Sequence, residues 1–293
     1  MDSYLKNWFD QLKAPRTLQN YKRQFPVFLE WIKKTPTEII ESRFEHLTTR
    51  DLSKRRYWEI QLVKFTRYLE TLKDDKGKRK LGIWAIRSYQ KCVQSFFSHN
   101  GSRLIFTRNE LAIEPSEREK IIKEWIPLNE ECRVLYRACR SARDRSVLLC
   151  LYQSGFSPVD VSNLKIENLD LYDQNGNWRK APFKDVYIAK LREKSNILQQ
   201  TAISREAIED IRIMLQNRGF PKQGYLFVSH KNEQFTPRFI NDMLKATVKK
   251  HFPEKAKLWK TKNLRDSFMN GCLQANITQE LKDALVGHQR QSA

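Results

Sequence analysis

Four basic side chains in the second half of the chain have types and positions that suit the binding of an anion: Lys194, Lys262, Arg265 and His288. Lys262 and Arg265 are three residues apart, which places them on one face of a helix. Cations in the first turn of a helix oppose its macrodipole and therefore favour an anionic partner. These four residues are the candidate functional groups of the second half, each of them a weak signal by itself.

Each candidate also has an ordinary structural interpretation. A polar turn such as 190–196 commonly carries a solvated lysine, Gly287 can end a helix in the left-handed conformation, and Lys262 with Arg265 can be a surface pair. NTP hydrolysis, zinc proteolysis and α/β-hydrolase chemistry have less support, because the sequence contains no Gly-rich phosphate loop, H-E-x-x-H or G-x-S-x-G pattern. It contains no EF-hand pattern either. Five scattered cysteines without a C-x-x-C pair indicate reduced core thiols rather than a metal site.

Composition points to a polyanionic partner. The 293 residues include 54 Lys and Arg against 34 Asp and Glu, which gives a formal charge of +20, and the isoelectric point is near 9.8. Because 40% of residues are hydrophobic, with nine glycines and ten prolines, the chain can bury a core and is not a disordered basic tail. No apolar stretch reaches the roughly 20 residues of a membrane span, and no N-terminal signal pattern appears in the sequence. We therefore expect a soluble intracellular protein.

Apolar periodicity predicts helices separated by polar breaks. In the first half, helices are predicted over 17–33, over 48–73 with Thr49 as a cap, and over 83–99 with Trp84 facing inward. Residues 114–126 include a segment without an apolar pattern between two patterned blocks, so we predict a helical domain over 1–113, a linker over 114–126 and a second domain over 127–293. The length also favours two domains.

The second domain is predicted to combine helices with one small antiparallel sheet. Helices are predicted over 129–139, 142–153, 159–164, 204–218, 237–251, 262–274 and 278–286, and two extended stretches within 178–191 and 199–203 are joined by the segment that carries Lys194. The expected fold class is therefore mainly α, with a helical N-terminal domain and an α-rich second domain with a small sheet.

Exposed basic residues of the first domain are candidate phosphate contacts. They lie on the predicted helices, as solvated faces would, but the charge surplus of the whole chain favours contact with nucleic acid. The candidates are Lys22, Arg23, Lys54, Arg55, Arg56, Arg87 and Lys91.

Taken in order, four segments resemble the sequence boxes of the tyrosine recombinase, or phage integrase, family. Residues 143–164 resemble the first box, a helix followed by Thr/Ser-Gly-Leu-Arg-x-Ser-Glu/Asp and a leucine. Lys194-Ser195 resembles the Lys-Thr of a β-hairpin, residues 262–268 resemble the His-x-Leu-Arg box, and residues 285–288 resemble the Leu-Leu/Met-Gly-His box. In the first half, Thr17, Tyr21, Phe25, Phe28 and Trp31 are similar to the family's helical core-binding domain.

The resemblance implies a site-specific DNA strand-transfer enzyme that encircles double-stranded DNA with its two domains and acts as a homotetramer. It also implies that the gene belongs to a mobile element in a prokaryotic cell, virus or plasmid. A tyrosine would attack the scissile phosphate to give a 3′-phosphotyrosyl link, without metal or nucleotide. Arg265 would bind the non-bridging oxygens, Lys194 would protonate the leaving 5′-oxygen, His288 would donate to the phosphate, and Lys262 stands where His is commonest. The expected location is the cytoplasm.

Two departures from the family pattern affect the expected chemistry. Ser157 occupies the position of the first-box arginine, and Arg143 and Arg145 are candidates for a replacement only because they are close in sequence. The nucleophile is expected about nine residues after the Gly-His box, but no tyrosine follows Tyr225. We therefore expect the chain to lack a C-terminal segment and to bind DNA without cleaving it.

Two other functions remain open on the sequence alone. Ser157 and the absent tyrosine are also compatible with a non-catalytic DNA-binding protein that has a recombinase-like fold. A basic, helical RNA-binding protein would explain the charge but not the order of the four boxes.

Overall fold

The computed structural model describes residues 2–115, 124–179, 185–193 and 196–288. The chain divides into two compact units, Met1–Ile122 and Lys123–Ala293. Within the described ranges, no helix has the length and apolarity needed to cross a bilayer.

Among its described residues, the regular structure of the first unit consists of helices. Its helices are α1 (Ser3–Gln11), α2 (Pro15–Ile32), α3 (Pro36–Thr48), α4 (Leu52–Arg55), α5 (Tyr57–Thr71) and α6 (Ile83–His99). Local chemistry sets several of these boundaries. Thr35 and Glu38 form a capping box before α3, with Pro36 in the first helical position, and α2 ends at Lys33 in the left-handed conformation.

Aromatic packing builds the core of the first unit. The Trp8 ring lies 4.9 Å from Phe25 and 5.4 Å from Phe96, and the rings of Phe25 and Phe96 are 4.5 Å apart. All three side chains are fully buried. Offset and edge-to-face ring pairs add to the roughly 1.5–3 kcal/mol gained by burying each large apolar side chain. These contacts hold α1, α2 and α6 together.

A buried ion pair crosses the same unit. Arg43 donates from Nη1 and Nη2 to both carboxylate oxygens of Glu59, at 2.9 and 2.7 Å, and both side chains are at least 95% buried. Arg43 also donates to the carbonyl of Arg55, and Glu59 accepts from the backbone N–H of Ile105. The pair therefore joins α3, α5 and the segment that follows α6.

Removing the charge of Glu59 should destabilise the first unit strongly. We expect Glu59→Gln to lower its free energy of unfolding by about 3–5 kcal/mol, because the guanidinium of Arg43 would remain buried without an anion. The control is Glu130→Gln, whose pair with Arg133 is 67–78% exposed and should matter by about 0.5 kcal/mol or less. Urea denaturation of the full chain measures both values. Equal losses in the two variants would contradict the expectation.

The second unit places seven helices around a two-stranded sheet in the described residues. They are α7 (Asn129–Ala138), α8 (Ala142–Ser154), α9 (Pro158–Ser162), α10 (Arg205–Gln216), α11 (Pro237–His251), α12 (Lys262–Gln274) and α13 (Gln279–Val286), with strands β1 (Asp185–Leu191) and β2 (Leu198–Ser204). Helix α8 is apolar on most sides and fully buried along Val147–Leu151, so it forms the centre of this core. The chain is thus mainly α with a small antiparallel sheet, as predicted.

The hairpin has one buried face. β1 and β2 pair in antiparallel register with Ile188 opposite Thr201 and Lys190 opposite Gln199. Val186 and Ile188 are buried on β1, and Gln199, Thr201 and Ile203 are buried on β2. Since side chains alternate between faces with a period of two, Lys190 and Arg192 continue the inward face of β1 beyond its apolar residues. The hairpin thereby carries cations toward the ends of α8 and α13.

The structure corrects the helices predicted for the first unit at several points. The single helix predicted over 48–73 is wrong, because α3 ends at Thr48 and Asp51 caps a new short helix by accepting from the N–H groups of Ser53 and Lys54. Helices α1 and α3 were not predicted. The inward placement of Trp84 is also wrong, since this side chain is 78% exposed in the first turn of α6. Its ring lies 5.2 Å from the guanidinium of Arg87.

Candidate phosphate-binding site

The structure brings two of the four candidate catalytic residues together. Arg265, in the first turn of α12, is 7% exposed. Its Nη2 lies 2.7 Å from the carbonyl oxygen of Val286 and 3.2 Å from Nε2 of His288. Its Nη1 donates to the carbonyl of Gly155 at the end of α8. Arg265 is thus held between the C-terminal ends of α8 and α13.

Close packing at Gly155 fixes this arrangement. Gly155 has φ = 65°, and a Cβ at this position would lie 2.6 Å from the ring of Phe268. Both the left-handed conformation and the close approach require glycine here. Phe268 is three residues after Arg265 and lies on the same face of α12. Its contact with Gly155 therefore fixes the position of Arg265 relative to the C-terminal end of α8.

Strand β2 ties the two helix ends to the sheet. Nε2 of Gln199 donates to the carbonyl of Ser154 at 3.0 Å and to that of Leu285 at 2.8 Å, and Oγ1 of Thr201 donates to the same Ser154 carbonyl at 2.9 Å. Carbonyls at helix C-termini have no partner within the helix, so such donors stabilise them. The buried amide of Gln199 therefore positions the ends of α8 and α13 side by side.

A third cation, Arg192, enters the site from the end of β1. Its Nη1 donates to the carbonyl of Gly287 at 2.9 Å, and its Nε lies 3.9 Å from Oδ2 of Asp160. Its side chain is 12% exposed. This residue was not among the sequence candidates. The sequence feature that could have identified it is the alternation of side chains along β1. A period of two places Arg192 on the same face as the buried Val186 and Ile188.

Asp160 provides the buried carboxylate of the site. It is 1% exposed, and its Oδ2 accepts from the Ser157 hydroxyl at 2.6 Å and from the Ser157 N–H at 3.1 Å. Its Oδ1 accepts from the Glu193 N–H at 3.2 Å. Ser157, at the position of the family's first-box arginine, thus caps α9 in a capping box with Asp160.

The charges of the site act on one another. Burial lowers the pKa of Arg265 to about 10, and the nearby charge of Arg192 contributes to that decrease, whereas Asp160 and Asp266 oppose it. Burial also lowers the pKa of His288, and Arg265 and Arg192 lower it further. Two guanidiniums in a partly dehydrated site repel each other, which favours an anion between or beside them.

The other predicted site residues lie elsewhere or outside the described residues. Lys262 is on the exposed side of α12, where its Nζ lies 3.3 Å from Asp266. Lys194 lies outside the described residues. Arg143 is 3.2 Å from Asp144 and stacks over Phe235.

The second sequence candidate for a replacement guanidinium, Arg145, is also engaged elsewhere. It forms a 2.6 Å ion pair with the buried Asp210. Both sequence candidates therefore have carboxylate partners of their own, away from Arg265 and His288.

All seven basic candidates of the first unit are exposed: Lys22, Arg23, Lys54, Arg55, Arg56, Arg87 and Lys91. Some already have protein partners. Arg55 donates to the carbonyl of Thr49 and Arg56 pairs with Glu110 at 2.5 Å. These contacts leave the side chains at the surface, where they can exchange a protein partner for a phosphate.

No group of three or more His, Cys, Asp or Glu side chains among the described residues is arranged to hold a metal ion. The polar groups that converge at the site are instead guanidinium, imidazole and carbonyl groups, with one buried carboxylate. An oxyanion such as a phosphodiester is the ligand for which guanidinium groups are the usual protein donors.

A side chain at Gly287 should disturb the site. Gly287 has φ = 62°, and a Cβ would lie 2.4 Å from Cδ of Arg192 and 3.0 Å from Cβ of Gln199. We expect Gly287→Ala to lower the free energy of unfolding by about 2 kcal/mol or more, since backbone strain and a steric clash combine.

The matched control is Gly219→Ala. Gly219 has φ = 71° with no atom within 4 Å of the added Cβ, so only the strain of about 1 kcal/mol remains. Chemical denaturation of both variants compares the two costs. Equal losses would show that Gly287 does not pack against Arg192 and Gln199.

The lowered pKa of His288 predicts a neutral imidazole at pH 7. We expect ¹H–¹⁵N NMR to give its pKa below the ~6.5 of an unperturbed histidine. Asp283→Asn should lower the pKa further, because the carboxylate of Asp283, 3.7 Å from Nδ1, raises it. Between the folded pKa and ~6.5 the unfolded chain binds more protons, so acidification through this window lowers the contribution of His288 to stability. A pKa above ~6.5 would contradict the geometry.

A profile described as Phage integrase family matches residues 123–293 of the chain. No curated protein sequence matches the chain significantly.

Solved structures with similar folds include recombinases and integrases. The XerH site-specific recombinase bound to a palindromic difH substrate superposes with a TM-score of 0.61 at 16% identity, over 93% of this chain and 73% of that one. A lambda integrase dimer bound to a COC′ core site gives 0.59 at 13% identity, over 99% and 92%. A lambda integrase tetramer bound to a Holliday junction gives 0.55 at 13% identity, over 99% and 77%. At these identities the likeness establishes the fold.

Proposed function

Because the chain belongs to the phage integrase family of tyrosine recombinases, we propose that it is a site-specific DNA recombinase that cuts and rejoins double-stranded DNA through a 3′-phosphotyrosyl intermediate. The observation that carries this proposal is the buried Arg265, whose guanidinium lies 3.2 Å from His288 at the junction of α8, α12 and α13. A buried arginine beside an imidazole provides fixed positive charge and hydrogen-bond donors for one phosphate.

The proposed reaction exchanges one phosphodiester for another. A tyrosine hydroxyl gives up its proton to water, and its oxygen bonds to phosphorus as the bond between phosphorus and the 5′-oxygen breaks. The electron pair of that bond remains on the 5′-oxygen. Lys194 donates a proton to that oxygen as general acid. The 5′-hydroxyl of a partner strand then attacks the phosphotyrosyl phosphorus and releases the tyrosine. No external energy source is needed because the covalent link conserves the phosphodiester bond energy.

The residues of the site stabilise the charge that develops in this reaction. Negative charge increases on the non-bridging oxygens as the fifth bond to phosphorus forms, and Arg265 donates to those oxygens. His288 donates a hydrogen bond to the same phosphate, which requires it to bind a proton or change tautomer, since its Nε2 faces Nη2 of Arg265 in the free protein. Lys262 supplies additional charge when its side chain leaves Asp266.

We propose that the first unit is a DNA-binding domain, residues 1–113, joined by a linker at 114–126 to the catalytic domain. Its exposed basic residues on α2, α4 and α6 bind backbone phosphates and hold the duplex without reading its sequence. The matched lambda integrase tetramer is bound to a Holliday junction; by analogy, four copies of this protein assemble on two paired DNA sites. The reaction takes place in the cytoplasm of a prokaryotic cell.

The 293-residue chain is proposed to bind DNA without forming a covalent adduct, because no tyrosine follows Tyr225. The absence of an arginine at Ser157 favours a second candidate function, a non-catalytic DNA-binding protein with the same fold. Both functions predict binding to a specific duplex, but only the first predicts a covalent intermediate.

The test begins with selection of bound duplexes from a random library by the 293-residue protein. The selected site, built as a nicked suicide substrate, is then incubated with the 293-residue protein and with protein expressed from the whole natural reading frame that contains these residues. A protein–DNA adduct that survives SDS supports the recombinase. Specific binding without an adduct in either form would establish the non-catalytic alternative. Selection of no site, with RNA competing as well as duplex DNA, would exclude both.

A further inference from the structure

One guanidinium of the site comes from an unexpected place in the sequence. The first box carries Ser157 where the family pattern has arginine, and the Ser157 side chain caps α9 rather than entering the site. We propose that Arg192, at the end of β1, is the second guanidinium that binds the scissile phosphate. This inference rests on the proposed recombinase function and adds a catalytic residue to it.

Adjacent backbone carbonyls hold the two arginines. Arg265 donates from Nη2 to the carbonyl of Val286 at 2.7 Å, and Arg192 donates from Nη1 to the carbonyl of Gly287 at 2.9 Å. Both carbonyls are at the C-terminal end of α13, the negative end of its dipole, which stabilises nearby cations. His288 follows directly, so one helix end positions all three donors.

The charge balance around Arg192 favours an anion. Asp160 is close to Arg192, but its two oxygens already accept from Ser157 and from the Glu193 N–H. Nε of Arg192 is buried without a hydrogen-bond partner among the described residues. Asp266 pairs with Lys262, and Asp283 faces His288. Arg192 and Arg265 therefore share a single buried carboxylate, that of Asp160, which is already hydrogen-bonded. A phosphodiester would supply the missing negative charge.

Other cations of the second unit are less suited to this role. Lys190 shares the inward face of β1, but its Nζ lies 2.9 Å from the carboxylate of Glu193. Arg143 and Arg145, the sequence candidates, pair with Asp144 and Asp210. Within the described residues, Arg192 is the basic side chain whose charge acts on both Arg265 and His288.

Inorganic phosphate is the probe for this inference. The full chain, labelled at its histidines, is titrated with phosphate while NMR follows His288, whose signal is identified by its loss in His288→Gln. We expect Arg192→Gln to weaken phosphate binding about tenfold or more, as expected for loss of charge-assisted hydrogen bonds. Arg143→Gln removes the same charge from the same unit and should change the affinity less than about twofold. Unchanged phosphate affinity in Arg192→Gln would overturn the inference.

Two further measurements separate the role of Arg192 from damage to the fold. In Arg192→Gln the pKa of His288 should rise, because the charge of Arg192 lowers it in the native protein. Arg192→Lys keeps the charge but not the planar donor pair, so we expect an intermediate phosphate affinity. If Arg192→Gln does not fold, Arg192→Lys decides the matter, since affinity equal to that of the native protein would overturn the inference.

Failure of the role proposed for Arg192 can be distinguished from failure of the proposed recombinase function. If no covalent DNA adduct is found but phosphate binding depends on Arg192, the anion site remains and the recombinase function falls. If an adduct forms equally fast with native protein and Arg192→Gln, the recombinase function remains and the role of Arg192 falls.

Discussion

Arg265→Ala should slow the formation of the covalent DNA adduct by roughly a thousandfold or more while changing duplex affinity only a few-fold. The large effect on rate follows from the position of this guanidinium, which is fixed by two backbone carbonyls beside His288 before substrate arrives. A preorganised charge stabilises the transition state without reorganisation. The small effect on affinity follows because one phosphate contact among many contributes little to binding.

Single-turnover adduct formation on the nicked substrate, with protein expressed from the whole natural reading frame, measures the rate. Fluorescence anisotropy of the same duplex measures the affinity. Arg143→Ala is the control, because its guanidinium lies over Phe235 and pairs with Asp144. Circular dichroism confirms that each variant is folded. If Arg265→Ala reduces rate and affinity equally, Arg265 binds DNA without a catalytic role.

Local patterns in the sequence were sufficient to predict most of the second unit. The apolar period of α12 predicted a helix that carries Arg265, and the Gly287 stop predicted that His288 follows the end of α13. The structure brings the two side chains to 3.2 Å. The antiparallel hairpin was also predicted, and β1 and β2 confirm it. These features depend on interactions within a few residues, which spacing and turn chemistry reveal.

The residues that the sequence did not reveal depend on distant contacts. Arg192 meets Gly287 across 95 positions of the chain, and only the fold shows that the end of β1 approaches the end of α13. Position 157 carries a serine, which caps a helix, in place of the arginine of the family pattern. No local pattern indicates which other cation replaces that arginine. In the first unit, the cap formed by Asp51 divided a region whose apolar content suggested one helix.

The affinity for duplex DNA should fall by roughly 10³–10⁵ between 50 and 200 mM salt, if ~6–10 phosphates are contacted. The net charge of +20 makes such a count attainable, and the exposed basic residues of α2, α4 and α6 are proposed to supply part of it. Each neutralised phosphate releases condensed counterions, so the logarithm of affinity falls linearly with the logarithm of salt concentration, with a slope near −0.9 per contact. Anisotropy titrations at several salt concentrations measure this slope.

The same slope tests the basic cluster at α4. Lys54, Arg55 and Arg56 are exposed, although Arg56 pairs with Glu110. If all three bind phosphates, replacing them with glutamine should reduce the magnitude of the slope by about 2.7, roughly 0.9 for each contact. A slope unchanged by the triple variant would exclude this cluster from the interface. A native slope near zero would instead exclude phosphate-dominated binding, and the charge surplus of the chain would then require another explanation.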